Sequence, residues 1–172
     1  QNITILGTGG TIASFVDYKT GAVSPAITAE QLVNSVKALD EIANINAEPL
    51  FSLASEDMKP NHWEDMAVKV KEIHDKNNHG IVIGHGTDTM AYSAAALAFQ
   101  LPEISNPVVF TGAQRSPDRP SSDAHLNLVG AAKIAMSDLG EICIAMHETT
   151  DDQNVAIWRG NRTRKTHSSM RN

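Results

Sequence analysis

Two glycine-rich turns that each end in threonine carry the residues of this chain best suited to chemistry. Residues 7–11 lead to Thr11, residues 84–87 lead to Thr87, and each turn follows a short apolar run. Such a run, followed by glycines and then by helix-forming sequence, is typical of a buried parallel strand that turns into a helix. A threonine hydroxyl becomes a nucleophile when a base removes its proton. Two such hydroxyls, with the carboxylate of Asp88 beside the second, indicate nucleophilic chemistry.

The candidate base is Lys165, far along the chain from both turns. A lysine desolvated among cations, here Arg162 and Arg164, gives up its proton more easily. Taken alone, Lys165 is an ordinary surface charge, and both threonine turns are ordinary helix caps. The chemical interpretation therefore requires that these groups meet in space.

Ser55 and Glu56 form a third polar cluster. A hydroxyl beside a carboxylate suits a zwitterionic ligand, because the serine can donate to a carboxylate and the glutamate can accept from an ammonium group. The pair is equally consistent with a turn or helix cap before Pro60.

Composition excludes several other classes of function. The chain has 172 residues, enough for one domain with a real core, and a net charge of −6 that argues against gripping a nucleic-acid backbone. The glycine pattern of residues 7–12 lacks the third glycine of a dinucleotide fingerprint, and no lysine follows it as a P-loop requires. The seven histidines form no metal motif, and His85, within the second turn, is expected to be structural.

The single cysteine, Cys143, lies in an apolar run and is expected to be a core residue in a reducing, cytoplasmic setting. No apolar stretch is long enough to cross a bilayer. The chain begins at Gln1 rather than Met, so we interpret it as a piece of a longer protein.

Strand and helix signals alternate along the chain. We predict strands at 3–6, 47–53, 80–83, 107–111 and 142–146, and helices at 28–36, from 60 or 61, at 88–101 and from 121 or 122 to 139. Thr28 and Gln31 predict a capping box at the start of the first helix. Ser121 or Ser122 is predicted to cap the last helix, with Gly140 directly after its end and an inner face of Leu128, Ala131, Ala132, Ala135 and Leu139. A terminal hairpin is predicted from 155–158 and 162–166, with its turn at 160–161. The segment 15–25 is predicted to be a mobile loop or a small hairpin.

This alternation predicts an α/β domain with three α/β/α layers, a mainly parallel sheet and a C-terminal β-hairpin. Four polar clusters come directly after strands: Thr11, Ser55–Glu56, Thr87–Asp88 and Gly112–Ala113. They are therefore expected to converge on one edge of the sheet, where open α/β sheets bind their ligands.

Three segments together resemble the bacterial-type L-asparaginase/glutaminase family: 7–14 (Gly-Thr-Gly-Gly-Thr-Ile-Ala-Ser), 85–90 (His-Gly-Thr-Asp-Thr-Met) and 110–113 (Phe-Thr-Gly-Ala). Segments 17–25, 112–123 and 159–171 are more specifically similar to the D-subunit branch of archaeal-type glutamyl-tRNA(Gln) amidotransferases. The resemblance covers essentially the whole chain and implies an asparaginase-like N-terminal α/β domain over residues 1–172.

The resemblance implies a side-chain amide hydrolase and assigns roles by motif. Thr11 would be the primary nucleophile, with Tyr18 its neighbour in activation. A second catalytic group would contain Lys165 as base, together with Thr87 and Asp88. The substrate's α-carboxylate and α-ammonium would be held by Ser55, Glu56 and Asp88, and the Ala113 carbonyl would accept a hydrogen bond from the substrate amide.

Partners follow from the same resemblance. Ammonia released from glutamine or asparagine would pass to the E subunit of the amidotransferase, which amidates Glu-tRNA(Gln), so contact with tRNA would be indirect. No cofactor is implied for amide hydrolysis, since ATP and magnesium act at that partner. Dimerisation is implied through the family's second, smaller domain, which this chain lacks, as it lacks the leading β-barrel of D subunits. The second domain of a neighbouring copy would finish the site, so the piece alone is expected to be weak or inactive.

One departure from the family pattern is Glu56, where asparaginases usually have Gln; a negative charge there would strengthen ammonium binding. Two other interpretations stay open. One is a free-standing L-asparaginase without tRNA-linked partners. The other is a non-catalytic, flavodoxin-like binding domain in which the Gly–Thr turns merely cap helices.

Overall fold

The structure is a computed structural model that describes residues 2–16, 23–25, 28–77, 79–151 and 153–167. In these ranges the strands are β1 (Asn2–Gly9), β2 (Ser14–Val16), β3 (Val23–Pro25), β4 (Asn44–Leu53), β5 (Ile81–Gly84), β6 (Val108–Thr111), β7 (Ile142–His147) and β8 (Val155–Arg159). The helices are α1 (Ala29–Ser35), α2 (Pro60–Asn77), α3 (Met90–Gln100) and α4 (Ala124–Ala135). Short 3-10 turns occupy Thr11–Ala13, Lys37–Leu39, Ser55–Asp57 and Gly160–Arg162.

Six of these strands form one sheet in the order β4-β1-β5-β6-β7-β8. All neighbours are parallel except β7 and β8, which pair antiparallel. The carboxyl ends of the parallel strands therefore share one edge, and the chain segments that leave them are brought together there.

Alternate residues of the sheet bury against helices on its two faces, as a parallel sheet covered on both sides requires. One face packs against α1 and α4 and includes Ile3, Ile5, Val82, Val109 and Cys143. The other packs against α2 and α3 and includes Leu6, Ile81, Ile83, Phe110 and Ile144. The three-layer α/β/α prediction is confirmed.

The first helix is capped as predicted. Gln31 N donates to Thr28 Oγ1 at 3.1 Å, and Thr28 N donates to Gln31 Oε1 at 2.9 Å, so both hydrogen bonds of a capping box are present. The predicted start of α2 is confirmed, because this helix begins at Pro60; just before it, Lys59 N donates to His62 Nδ1 at 3.0 Å.

The predicted ends of α4 differ from those in the structure. The helix begins at Ala124, so Asp123 rather than Ser121 or Ser122 takes the position before it, although Ala124 N donates to Ser122 Oγ at 3.1 Å and this serine thus satisfies the first N–H of the helix. It ends at Ala135, so Leu139 is exposed beyond the helix. Gly140 therefore lies five residues after the helix end and does not follow it directly. The inner face predicted from Leu128 to Ala135 is buried.

The C-terminal hairpin exists, but its strands are β7 and β8. Residues 162–166, predicted to pair with 155–158, form no strand. Gly160 is buried, and a Cβ built on it would lie 3.0 Å from Ile142 O and 3.2 Å from Ala94 Cβ. The residues after β8 therefore turn onto α3 instead of folding back along β8.

The segment 15–25 has a hairpin at its described ends, because β2 and β3 pair antiparallel from Ser14↔Pro25 to Val16↔Val23. Residues 17–22, which include Tyr18, lie outside the described residues. Among the described helices, none is both long and apolar enough to span a membrane.

Candidate active site

The turns after β1 and β5 touch through their backbones. Gly10 has a φ of +79°, a conformation that favours glycine, and a Cβ built on it would lie 2.5 Å from Gly86 Cα. Gly10 N donates to Leu53 O at 3.1 Å, which also ties this turn to the end of β4. The residues that follow the two contacting glycines are Thr11 and Thr87, and both are partly exposed.

The Ser55–Asp57 turn after β4 packs on the second glycine turn. A Cβ built on Gly86 would lie 2.5 Å from Ser55 Cβ, closer than any real side chain tolerates. Thr89 Oγ1 donates to Ser55 O at 2.8 Å across the same contact. Ser55 is buried, whereas Glu56 is exposed. The structure thus places the predicted zwitterion-binding pair beside the Thr87 turn.

The loop after β6 completes this edge of the sheet. A Cβ built on Gly112 would lie 2.6 Å from His85 O and 3.0 Å from Thr87 Cγ2. The next residue, Ala113, is 1% exposed. The four polar clusters that the sequence places after strands therefore meet at one end of the sheet, as predicted.

Lys165 lies against the second threonine. Its Nζ donates to Thr87 Oγ1 at 2.7 Å and to Asp88 Oδ1 at 2.9 Å, and its side chain is 19% exposed while that of Asp88 is 53% exposed. An amine this close to a hydroxyl can exchange a proton with it once the amine has lost its own. The adjacent carboxylate stabilises the charge that the amine then gains.

The same contact borders a cavity of about 400 Å³ between α3, β7 and the residues after β8. Its lining includes Thr87, Lys165, Gln114, His147 and Trp158. Of the eight predicted site residues, the structure brings Thr87, Asp88 and Lys165 into direct contact and sets Thr11, Ser55, Glu56 and Ala113 on the contacting turns. Tyr18 lies outside the described residues.

His85 supports the Thr87 turn from beneath. It is fully buried beside Phe110, with the ring centroids 5.8 Å apart, and its Nδ1 lies 2.7 Å from Gly86 O. Burial lowers the pKa of His85 to about 4, so the ring is neutral and Nδ1–H donates to that carbonyl. The sequence-based interpretation of His85 as structural is consistent with this placement.

Cys143 is buried among apolar residues of the sheet, as predicted. Burial raises the pKa of its thiol to about 12, which keeps it protonated and unreactive. Within the described ranges, no group of three or more His, Cys, Asp and Glu side chains is arranged to hold a metal ion.

Sequence reasoning missed three buried polar residues behind the Ala113 loop: Asp123, Asn127 and His147. Asp123 lies at the end of the 112–123 segment that carries the resemblance. The adjacent Ser121 and Ser122 are the residue types expected to cap a helix, so the sequence predicts that role for them and none for Asp123. Its four-residue spacing to Asn127 puts both on one helix face, and that spacing is the signal that could have revealed the pair.

Comparisons with known proteins agree with this arrangement. The family model described as asparaginase, N-terminal, matches residues 2–172. The D subunit of glutamyl-tRNA(Gln) amidotransferase from Pyrococcus furiosus is 54% identical over 169 residues, which cover 98% of this chain and 39% of the relative. The protein of the same name from Thermococcus kodakarensis is 51% identical over 170 residues, covering 99% of this chain and 39% of the relative.

A solved structure shows the same fold. L-asparaginase I from Vibrio cholerae superposes with a TM-score of 0.82 at 31% identity, over 98% of this chain and 49% of that one. The chain spans 39% of the length of the curated relatives just described. The match of the family model to nearly every residue, on a fold shared with a solved asparaginase, shows that the chain belongs to the asparaginase family and corresponds to its N-terminal domain.

Proposed function

We propose that this domain hydrolyses the side-chain amide of glutamine or asparagine, and that the full-length protein supplies the ammonia for amidation of Glu-tRNA(Gln). The observation that carries the hydrolytic part is the contact of Lys165 Nζ with Thr87 Oγ1 and Asp88 Oδ1 at 2.7 and 2.9 Å. The tRNA-linked part is supported by relatives at 51–54% identity that are named as D subunits of the amidotransferase.

The proposed chemistry proceeds in two stages. The Thr11 hydroxyl, with Tyr18 assisting its activation, attacks the amide carbon and gives up its proton, which Lys165, once neutral, accepts through Thr87 while Asp88 stabilises the ammonium that forms. The lysine passes this proton to the amide nitrogen, so the C–N bond breaks and ammonia leaves. Water then attacks the resulting ester carbon and loses a proton to the lysine, which returns it to the Thr11 oxygen as the carboxylate is released.

Substrate binding uses the turns that surround this group. Ser55 donates to the substrate's α-carboxylate, while Glu56 and Asp88 accept from its α-ammonium. The Ala113 carbonyl accepts from the amide N–H. The proximity of the Ser55 and Gly112 segments to the Thr87 turn supports this assignment.

The proposed assembly extends beyond this chain. The E subunit of the amidotransferase receives the ammonia and uses ATP and magnesium there, so this domain meets tRNA only through that partner. A homodimer through a second domain completes the site, which leaves residues 1–172 alone weak or inactive. A cytoplasmic location belongs to the same proposal, because charged tRNA is used there.

The test uses the full-length protein together with the E subunit. Ammonia release from glutamine and formation of Gln-tRNA(Gln) should both fall at least about 100-fold in T11A and in T87A, the scale of a lost nucleophile or proton-transfer partner. Near-normal turnover in both variants would favour a non-catalytic binding domain.

A free-standing asparaginase is the second candidate, favoured by the superposition on L-asparaginase I from Vibrio cholerae. The two functions differ in their dependence on partners. Amide hydrolysis that rises when the E subunit and charged tRNA are added supports the amidotransferase. Full activity toward asparagine without either of them supports the free-standing enzyme.

A further inference from the structure

The carboxylate of Asp123 is fully buried and lies behind the loop that carries Ala113. Gln114 N donates to Asp123 Oδ2 at 3.0 Å, and Arg115 N donates to Oδ1 at 3.0 Å. Asp123 occupies the residue before α4 but makes no side-chain capping bond to that helix. Its hydrogen-bonding capacity is therefore directed at the loop after β6 instead of at its own helix.

Two further buried side chains, Asn127 and His147, join Asp123 to the ends of β6 and β7. Asn127 Nδ2 donates to Asp123 Oδ2 and to Gly112 O, both at 2.9 Å, and its Oδ1 accepts from His147 N at 2.6 Å. His147 Nδ1 lies 3.1 Å from Asp123 Oδ2. The network thus links the start of α4, the end of β7 and the backbone on both sides of Ala113.

The charge of the network is matched to these donors. Burial acts to raise the pKa of Asp123, but the hydrogen bonds from His147 and from the Gln114 and Arg115 amides outweigh it and hold that pKa below its ordinary value. An ionised carboxylate only accepts hydrogen bonds, so both of its oxygens are available to the backbone N–H groups that point at it. A neutral amide in its place would bring its own N–H groups towards these donors.

The front of the same loop faces the candidate active site. A Cβ on Gly112 would lie 3.0 Å from Thr87 Cγ2, and Gln114 and His147 line the cavity that Thr87 and Lys165 border. A shift of the peptide at 112–114 would move the Ala113 carbonyl relative to Thr87. Small displacements of a binding group cost much of its effect, because hydrogen bonds depend steeply on geometry.

We propose that Asp123, held by Asn127 and His147, is a positioning residue that aims the Ala113 carbonyl at the N–H of the substrate's amide. This inference rests on the proposed function, in which that carbonyl accepts a hydrogen bond from the substrate. It assigns to the buried network a part in recognising the leaving group, beyond its contribution to the fold.

The prediction separates amides from esters. The γ-methyl ester of glutamate has no N–H at the leaving group, and it loses methanol where glutamine loses ammonia. A displaced Ala113 carbonyl therefore weakens reaction of the amide and leaves reaction of the ester nearly intact. A general disturbance of the fold lowers kcat/KM for both substrates by the same factor.

The experiment compares kcat/KM for glutamine and for glutamate γ-methyl ester in the full-length protein with its amidotransferase partner. In D123N the ratio of amide to ester kcat/KM should fall about 10- to 100-fold, the scale of one hydrogen bond lost from the amide. H147L, which removes the donor to Asp123, should lower the ratio in the same way. H147N, whose amide can replace that donor, should restore it, and D138N at an exposed aspartate should leave it unchanged.

An unchanged ratio in both D123N and H147L would overturn the proposal. If D123N does not fold, the comparison of H147L with H147N decides the question alone. Failure of the proposed function is distinguishable, since it would appear as T11A and T87A variants that retain turnover of both substrates. T11A and T87A variants that lose both activities, beside an unchanged ratio in D123N and H147L, would refute the positioning role alone.

Discussion

Lys165 Nζ lies 2.7 Å from Thr87 Oγ1, although 78 residues separate the two in the chain. The contact joins the loop after the central strand β5 to the residues that follow the edge strand β8. Asp88 holds the same ammonium at 2.9 Å and keeps it beside the hydroxyl. This relationship gives the proposed proton transfer its geometry, and it makes the lysine the first residue to test.

Replacing Lys165 with methionine should lower kcat/KM for amide hydrolysis at least about 100-fold, because the only proposed proton acceptor near Thr87 is lost. K165R should lose as much, since arginine keeps the positive charge but does not act as a base. Steady-state ammonia release by the full-length protein measures both. The control is K133M, at an exposed lysine of α4. Substantial activity in K165R would show that the charge alone is needed.

Gly86→Ala should destabilise the domain by about 1–3 kcal/mol or more, because the new Cβ would lie 2.5 Å from Ser55 Cβ. Gly84 provides a matched control two residues earlier, where a Cβ would lie 3.6 Å from Ile12 Cγ2, an ordinary contact. Urea unfolding of both variants gives the comparison, and hydrolysis by G86A should fall as the Ser55 turn is displaced. Equal unfolding midpoints for G84A and G86A would contradict the close approach of these turns.

The pH dependence of stability should include a contribution from His85. Its pKa is lowered by burial from 6.5 to about 4, so folding favours the neutral ring. That contribution is fully present above pH 6.5 and is lost as the pH falls through about 4, at about 1.4 kcal/mol per unit, which amounts to about 3 kcal/mol. The measurement is the free energy of unfolding of wild type and of H85Q from pH 7 to pH 4. The difference between the two curves cancels the titration of the carboxylates that both proteins contain. Parallel curves would mean that His85 is protonated as readily in the folded protein as in the unfolded chain.

A polar pair joins α2 to α3 beside their apolar contacts. Trp63 Nε1 donates to Ser93 Oγ at 2.8 Å, and Ser93 is fully buried. S93A should destabilise the domain by about 1–3 kcal/mol, because the indole N–H loses its acceptor in a partly buried position. Combining S93A with W63F in a double-mutant cycle isolates the pair from the lost packing. Strictly additive effects would show that the hydrogen bond adds nothing.

The sheet and the convergence of its polar loops follow from the sequence because they depend on local patterns. Apolar runs such as 142–146 have the length of buried strands, and parallel strands must place the loops after Gly9 and Gly84 at the same edge. Thr28 and Gln31 predict the start of α1 correctly, since a capping box involves only neighbouring residues.

The errors arise where distant packing outweighs local preference. The Gly160–Asn161 pair is typical of a hairpin turn, yet contact of Gly160 with Ala94 and Ile142 turns the chain onto α3. Ser121 and Ser122 are good helix caps by residue type, but Asp123 takes that position and accepts from the backbone of another loop. Such bonds depend on how β6 and α4 pack, which no local pattern records.

The order of the strands has a consequence for a chain still on the ribosome. Thr11, Ser55, Thr87 and Ala113 all belong to segments made before β7, and the parallel part of the sheet can form before the residues after β8 are made. Lys165 follows the final strand, so its contact with Thr87 requires residues that are made after β8. In the proposed mechanism a nascent chain is thus inert at least until translation has passed the lysine.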